Sequence, residues 1–101
     1  MSDVVFEDIK LPDVLYFTRI MPSFGYYEIH EIKINYRYDD PDPKESFVSG
    51  SDKDTKQRFI FTKRLAEEKL FRDRNKALDY INQKKEEYKD VKVYSPNQED
   101  Y

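Results

Sequence analysis

The sequence predicts an α+β fold in which a small, curved antiparallel sheet of four or five strands packs against one C-terminal helix. Two observations lead to this prediction. Short segments rich in β-branched and aromatic residues fill the chain up to residue 62, with turn-forming residues between them. After residue 72 the apolar residues take up the spacing of an amphipathic helix.

The predicted strands follow one another through short connections. The first, at residues 14–20, is dense in β-formers and enters a hairpin through the Pro and Gly of residues 21–25. Residues 39–45 (DDPDPKE) must form an exposed loop, because proline removes ladder donors and the acids repel one another. Further short strands are predicted at 46–50, 58–62 and 70–71.

The longest predicted strand, residues 26–38, changes its hydrophobic phase halfway. Tyr27 and Ile29 are apolar at odd positions, and the later apolar residues are at even positions: Ile32, Ile34, Tyr36 and Tyr38. A straight strand cannot hold both sets on one face, because its side chains alternate between faces. Either a β-bulge at His30–Glu31 brings both sets to one face, or the strand passes from one packing surface to another. Either alternative gives a long, bent strand.

The C-terminal helix is predicted to begin at the N-cap Asp73 and to end near Lys89. Its apolar stripe is predicted to contain Ala77, Leu78, Ile81 and Tyr88. A separate helical turn is expected at residues 63–69. The alternative is one continuous helix from 62 to 89, since no Gly or Pro interrupts that stretch.

The length of 101 residues predicts a single domain spanning 1–101. Residues 1–12 are expected to be loose or to lie along the domain edge, and the acidic tail at about 96–101 to be frayed. The curved sheet is expected to be able to close into an SH3-like partial barrel. The predicted core contains Leu15, Phe17, Ile29, Ile32, Ile34, Phe47, Phe59, Phe61, Phe71, Leu78 and Ile81.

Composition excludes several classes of function. The absence of Cys excludes disulfides, thiolate catalysis and cysteine-based zinc sites. No apolar run approaches the length of a membrane span, and the acidic start MSDVVFEDIK lacks the pattern of a signal peptide. We therefore expect a cytoplasmic protein with no membrane partner.

No candidate site for catalysis, a metal or a cofactor is predicted. Glu28 and the only His, His30, share a predicted strand face, but a metal site needs more converging ligands, so we interpret His30 as part of a solvent-facing bulge. The prolines of the 39–45 loop break the spacing of a calcium site. There is no nucleophile elbow and no Gly-rich phosphate loop. We expect a protein that is not an enzyme and that holds no cofactor.

Charge is unevenly distributed, and this predicts two candidate surfaces. Acidic residues predominate in 1–52 and basic residues in 53–101. A partner-binding surface is predicted from the acidic loop and the adjoining tyrosines: Asp39, Asp40, Asp42, Glu45, Tyr36 and Tyr38. A nucleic-acid-binding surface is predicted from cations interleaved with Phe59, Phe61 and Phe71: Arg58, Lys63, Arg64, Arg72 and Arg74.

The second half of the chain resembles a group of small uncharacterised proteins from Firmicutes and their phages. The resemblance lies in a Phe-Val-Gly-like strand end, an Asp-Lys turn, an aromatic strand and a Phe-x-x-Arg-x-x-Ala-Leu helix start, with a looser match at 17–22. Those motifs are residues 47–50, 52–53, 59–61 and 71–78. The resemblance implies a phage or mobile-element setting and no known activity.

Three hypotheses follow. The favoured one is a small non-enzymatic interaction protein that binds and modulates a host protein, since tyrosine is enriched at protein interfaces. The second is a nucleic-acid-binding module using the basic and aromatic stretch 53–76. The third is a subunit that pairs through its edge strands, which leaves the oligomeric state open.

Overall fold

The computed structural model describes residues 2–91 and has the predicted α+β fold. Two α-helices accompany the sheet, and short 3₁₀ turns lie at Phe6–Asp8, Pro22–Phe24 and Pro43–Glu45. The expected frayed tail at 96–101 lies outside the described residues. The regular elements are β1 (Val14–Met21), β2 (Tyr26–Tyr38), β3 (Phe47–Asp52), β4 (Arg58–Thr62), α1 (Lys63–Lys69), β5 (Leu70–Phe71) and α2 (Arg74–Glu87).

The five strands form one antiparallel sheet in the order β4-β3-β2-β1-β5. The sheet is curved, because the Phe17 ring of β1 contacts both Phe59 and Phe61 of β4 across one face, at centroid distances of 5.2 and 5.0 Å. It is also open within residues 2–91, since β4 and β5 are its two edges and do not pair with each other. The sheet is therefore curved, as predicted, but within residues 2–91 it does not close into the expected SH3-like partial barrel.

The stretch 62–89 forms two helices, and the alternative of one continuous helix is wrong. Each helix has its own N-cap. The Thr62 hydroxyl accepts a hydrogen bond from the amide of Leu65 (3.3 Å), and the Asp73 carboxylate accepts one from Asn75 (2.8 Å). Between the helices β5 pairs with Tyr16 and Phe17 of β1, which fixes Leu70 and Phe71 in the core.

Strand β2 serves two packing surfaces, one on each face of the sheet. On the inner face, Ile32 and Ile34 are fully buried in the larger core, which also contains Leu15, Val48 and Phe61. On the outer face, Ile29 packs with Phe71, Ala77 and Tyr80 beneath α2. The β1–β2 pairing continues without interruption through His30 and Glu31. The bulge predicted at His30–Glu31 is therefore absent, and the alternative of a strand passing between surfaces is confirmed.

A bulge does occur in β2, but at Asn35. Ile34 pairs with Gly50 and Tyr36 with the next β3 residue, Ser49, so Asn35 has no partner in β3. The extra residue reverses the alternation of side chains. Tyr36 and Tyr38 therefore lie on the outer face, opposite to Ile32 and Ile34, although all four have even numbers.

Residues 2–12 are not loose, because three of their apolar side chains belong to the core. Val4, Phe6 and Ile9 are buried in the inner core. Arg37, which the bulge turns to the inner face, donates hydrogen bonds to the carbonyls of Phe6 (2.9 Å) and Ile9 (2.8 Å), with its guanidinium over the Phe6 ring. Carbonyl groups removed from water need a hydrogen-bond donor, and Arg37 supplies it. These hydrogen bonds therefore hold the N-terminal segment against the sheet.

Two predicted core residues are placed elsewhere. Leu78 is 40% exposed on α2, and Tyr80 takes its place against Phe71. The helical period explains this, since Ala77, Tyr80 and Ile81 share one face and position 78 lies beside it. Phe47 is only half-buried, on the outer face. The remaining predicted core residues are buried or pack against the two cores: Leu15, Phe17, Ile29, Ile32, Ile34, Phe59, Phe61, Phe71 and Ile81.

Gly50 occupies a position with no room for a side chain. A Cβ atom there would overlap the carbonyl oxygen of Lys33 and lie 2.7 Å from Cγ2 of Ile32. Replacing Gly50 with Ala must push β2 and β3 apart next to the bulge. We expect Gly50→Ala to lower the free energy of unfolding by about 1–3 kcal/mol, measured by urea denaturation. Ser51→Ala, one residue along the same strand, is the matched control, and equal effects would contradict the steric explanation.

Candidate functional site

An exposed apolar patch lies on the outer face of the sheet, over the half that α2 does not cover. Its members come from three neighbouring strands, because Tyr36 and Ile60 both pair with Ser49, and Tyr38 pairs with Phe47. The Phe47 ring lies 5.8 Å from that of Tyr36 and 5.4 Å from that of Tyr38. We call Tyr36, Tyr38, Phe47 and Ile60 the aromatic patch.

The patch is accessible to a partner. Tyr36 is 48% exposed, Tyr38 is 40% exposed, and Ile60 is 63% exposed. Single exposed apolar residues are ordinary on protein surfaces, whereas contiguous ones mark interaction sites. The bulge at Asn35 creates this surface, since without it the two tyrosines would point to the inner face.

The predicted acidic residues lie directly beside the patch. The Tyr38 hydroxyl donates a hydrogen bond to the Asp40 carboxylate (2.6 Å), and the other oxygen of Asp40 accepts one from the Asp42 amide (2.9 Å). Asp39 pairs with Arg37, and Glu45 is exposed at the end of the loop. We call Asp39, Asp40, Asp42 and Glu45 the acidic loop.

The hydrogen bond between Tyr38 and Asp40 changes the ionisation of both groups. It stabilises the carboxylate, so the pKa of Asp40 lies below its ordinary value. The same bond, with the nearby negative charge of Asp40, raises the pKa of the Tyr38 hydroxyl. At neutral pH the acidic loop therefore carries a full negative charge on Asp40, held at the rim of the aromatic patch.

The five cations predicted for nucleic acid do not form one surface. Arg72 donates to the Asp13 carboxylate and to the Asp8 carbonyl (both 3.2 Å), and Lys63 pairs with Glu7 at 2.6 Å, so both hold the N-terminal segment. Arg74 is exposed at the start of α2. Arg58 is the first residue of β4 and Arg64 follows that strand in α1, at the opposite edge of the sheet from β5.

The rings that were predicted to stack on bases face the protein interior. Phe61 and Phe71 are buried, and Phe59 packs against the inner core and the Phe17 ring. A ring in the core has no free face for a nucleobase. The basic stretch thus places positive charge on the surface, but its phenylalanine rings are not exposed for stacking on bases.

A carboxylate–histidine chain lies at the end of β3. Nδ1 of His30 lies 2.7 Å from a carboxylate oxygen of Asp52, and Nε2 lies 3.2 Å from Glu28. The His30 side chain is only 14% exposed and contacts the rings of Phe17 and Phe59, so its predicted solvent-facing position is wrong. Nothing in residues 2–91 brings together three His, Cys, Asp or Glu side chains in a way that could hold a metal ion.

Asp52 organises the turn between β3 and β4. It is 5% exposed, and its Oδ1 accepts hydrogen bonds from the amides of Asp54 (2.7 Å) and Thr55 (3.0 Å). The bond from Thr55, with further contributions from His30 and Asp54, lowers the pKa of Asp52 although burial opposes this. The buried Asp52 carboxylate therefore has a structural role, since its hydrogen bonds hold the turn between β3 and β4.

An open cleft of about 950 Å³ separates α1 from the 39–45 loop and α2. Its walls carry charges of both signs, including Lys44, Arg64, Glu67 and Glu68. Lys84, also at this cleft, pairs with Glu87 at 3.2 Å and lies over the Tyr80 ring. Among residues 2–91, the side chains that line this cleft include no His, Cys or Ser.

The sequence grouped Tyr36 and Tyr38 with the acidic loop, and the structure bonds Tyr38 to Asp40; the sequence did not predict that Phe47 and Ile60 lie on the same face. The alternation of β4 contains a signal for Ile60, since Phe59 and Phe61 face inward and the residue between them must face outward. Phe47 carries no such signal, because its strand is short and its face depends on the bulge in β2.

Comparison with protein-family models, with curated proteins and with solved structures finds no match to this chain. Within residues 2–91, no helix combines the length and apolar character needed to cross a membrane. Function is therefore inferred from the geometry of the described surfaces.

Replacing Tyr38 with Phe removes the donor to Asp40 and leaves the ring in place. We expect the pKa of Asp40 to rise in Tyr38→Phe, because the bond that lowers it is lost while the Asp42 amide still donates. Carboxyl-detected NMR titration measures this change. Tyr36→Phe is the control, and an unchanged Asp40 pKa in Tyr38→Phe would show that the bond does not form.

The lowered pKa of Asp52 makes stability depend on pH. A carboxyl with a depressed folded-state pKa contributes stability above its unfolded value, near pH 4, and loses that contribution as the pH falls through the folded value. We expect Asp52→Asn to be less stable than the wild type at neutral pH and the difference to shrink below about pH 4. Urea denaturation across this range measures it, and a constant difference would contradict the assignment.

Proposed function

We propose that this protein is a small, non-enzymatic interaction protein that binds another protein through the aromatic patch and modulates it. The observation that carries the proposal is the cluster of Tyr36, Tyr38 and Phe47, with the exposed Ile60 two strands from Tyr36, beside the sheet edge that β4 forms within residues 2–91. Tyrosine rings supply contact area at low entropic cost, and their hydroxyls remain hydrogen-bonded at an interface.

The acidic loop, next to the aromatic patch, indicates which charge the partner carries where it meets the loop. Asp42 and Glu45 are exposed and form no ion pair with a basic side chain in residues 2–91, and Asp40 is held at the rim by Tyr38. A partner surface with an apolar centre and basic residues on one side complements this arrangement. Towards the basic residues of such a partner, the acidic loop would mimic the negative charge of phosphate groups.

The biological setting comes from the sequence resemblance. It favours a protein encoded by a phage or mobile element of Firmicutes, acting on a host protein in the bacterial cytoplasm. Nucleic-acid binding receives less support, because Phe59, Phe61 and Phe71 face the interior and two of the five predicted cations hold the N-terminal segment.

Affinity capture with matched variants tests the proposal. Immobilised wild-type protein and Tyr26→Ser, which removes an exposed tyrosine on the distant hairpin, should retain the same specific protein from a Firmicutes lysate. The double variant Tyr36→Ser/Tyr38→Ser should lose at least about tenfold in affinity for that protein, since central aromatic residues dominate interface energies. Binding of the purified pair is then measured by calorimetry.

Two outcomes would overturn the proposal. One is that the wild type retains no protein above the background of bare resin. The other is that the double variant binds the retained protein as tightly as Tyr26→Ser does, which would place the interface outside the aromatic patch.

A further inference from the structure

The β4 strand is an edge of the sheet within residues 2–91, and the centre of this edge carries no charge, proline or bulge. Its sequence RFIFT contains no proline and no acidic residue, and its central Ile60 is 63% exposed. Natural edge strands are normally blunted by inward charges, prolines or bulges, because unpaired backbone groups attract another strand. The β4–β3 pairing is also regular from Arg58 to Thr62.

Positive charge surrounds this edge at both ends. Lys56 and Arg58 precede the apolar centre and Lys63 and Arg64 follow it, with no acid between residues 55 and 66. Lys63 is neutralised by Glu7, whereas Lys56, Arg58 and Arg64 form no ion pair with any carboxylate in residues 2–91. Arg58 donates only to the Ser49 hydroxyl (2.9 Å) and Lys56 only to a backbone carbonyl.

These charges argue against a second copy of the chain as the occupant. Two β4 strands paired antiparallel about Ile60 would bring Lys56, in the turn before the strand, towards Arg64 of the other copy, at the start of its α1. Like charges placed opposite each other destabilise a strand pair. The inward rings of Phe59 and Phe61 likewise argue against a nucleic-acid strand.

We propose that β4 binds an extended, acidic segment of a partner protein, which adds to the sheet as a sixth strand. This proposal rests on the protein-binding function above and specifies its mode. Backbone hydrogen bonds to the β4 edge supply affinity, and alternate side chains of the segment contact Ile60 and extend the aromatic patch. Acidic residues at the two ends of the segment pair with Arg58 and Lys56 on one side and with Arg64 on the other.

Defined peptides test the proposal without knowledge of the natural partner. The probe is a fluorescent peptide of sequence DEVTVTVED, which has an apolar, β-forming centre and acidic ends. We expect saturable binding by fluorescence anisotropy at about 50 mM salt, weakening as salt rises. An analogue with Lys in place of every acid should bind at least about tenfold more weakly, since three ion pairs are lost.

Two further probes separate strand addition from general charge attraction. A peptide N-methylated at two adjacent central residues keeps its charge but has both hydrogen-bonding edges blocked, so it should lose at least about tenfold in affinity. Amide exchange of residues 58–62 should slow when the unmodified peptide binds. Equal binding of the methylated peptide would overturn strand addition, and tighter binding of single-stranded oligo-dT would favour a nucleic-acid surface instead.

Charge-reversal variants locate the site on the protein. Arg64→Glu removes an exposed cation that makes no hydrogen bond or ion pair in residues 2–91, so folding should be unaffected. It should weaken binding of the acidic peptide several-fold, whereas the matched control Arg74→Glu, near the opposite edge, should not. Equal effects of the two variants would overturn the proposal. Loss through Arg64→Glu alone, with binding unchanged by Tyr36→Ser/Tyr38→Ser, would support the strand site and count against the aromatic patch.

Discussion

The structure depends on one strand that contributes to two cores on opposite faces of one sheet. Ile29 of β2 packs beneath α2, and Ile32 and Ile34 are buried on the other face with the N-terminal segment and α1. On the outer face α2 packs against β1, β5 and the part of β2 that contains Ile29. Within residues 2–91, neither helix covers the outer face of β3, β4 and the last residues of β2. The bare surface is a consequence of how a small chain divides its apolar residues between two packing layers.

The bulge at Asn35 then decides which residues occupy that bare surface. Had the alternation continued, Tyr36 and Tyr38 would point into the inner core and Arg37 would point outward. The extra residue exchanges them, so the tyrosines become exposed while Arg37 reaches the carbonyls of Phe6 and Ile9. The same local feature thus anchors the N-terminal segment and builds the aromatic patch. Gly50, opposite Ile34, allows the close approach of β2 and β3 at this point.

Local patterns predicted the fold class, the C-terminal helix and the phase change of β2, and helix-forming composition indicated the turn at 63–69, although one continuous helix over 62–89 remained an alternative. These patterns did not locate the bulge, since the position of an unpaired residue depends on the register with β3 and not on β2 alone. Val4, Phe6 and Ile9 follow no strand or helix period, so their burial could not be predicted. Their burial depends on Arg37 and on Glu67. A carboxylate oxygen of Glu67 accepts a hydrogen bond from the Phe6 amide (2.9 Å). The acidic loop and its tyrosines were predictable because they adjoin in sequence, whereas Ile60 joins them only across two strands.

The two charged regions beside the aromatic patch have different consequences for a partner. The acidic loop lies at the end of β2, whereas the unpaired cations flank β4. An extended acidic segment of a partner can lie along β4 in two directions, parallel or antiparallel to the strand. The direction decides which part of the partner lies over the aromatic patch. Since the acidic loop lies at one end of the patch, only one direction brings basic residues of the partner to it. In the proposed complex, complementary charge at two separate points would select the orientation as well as the partner, while the apolar contact between them would supply affinity.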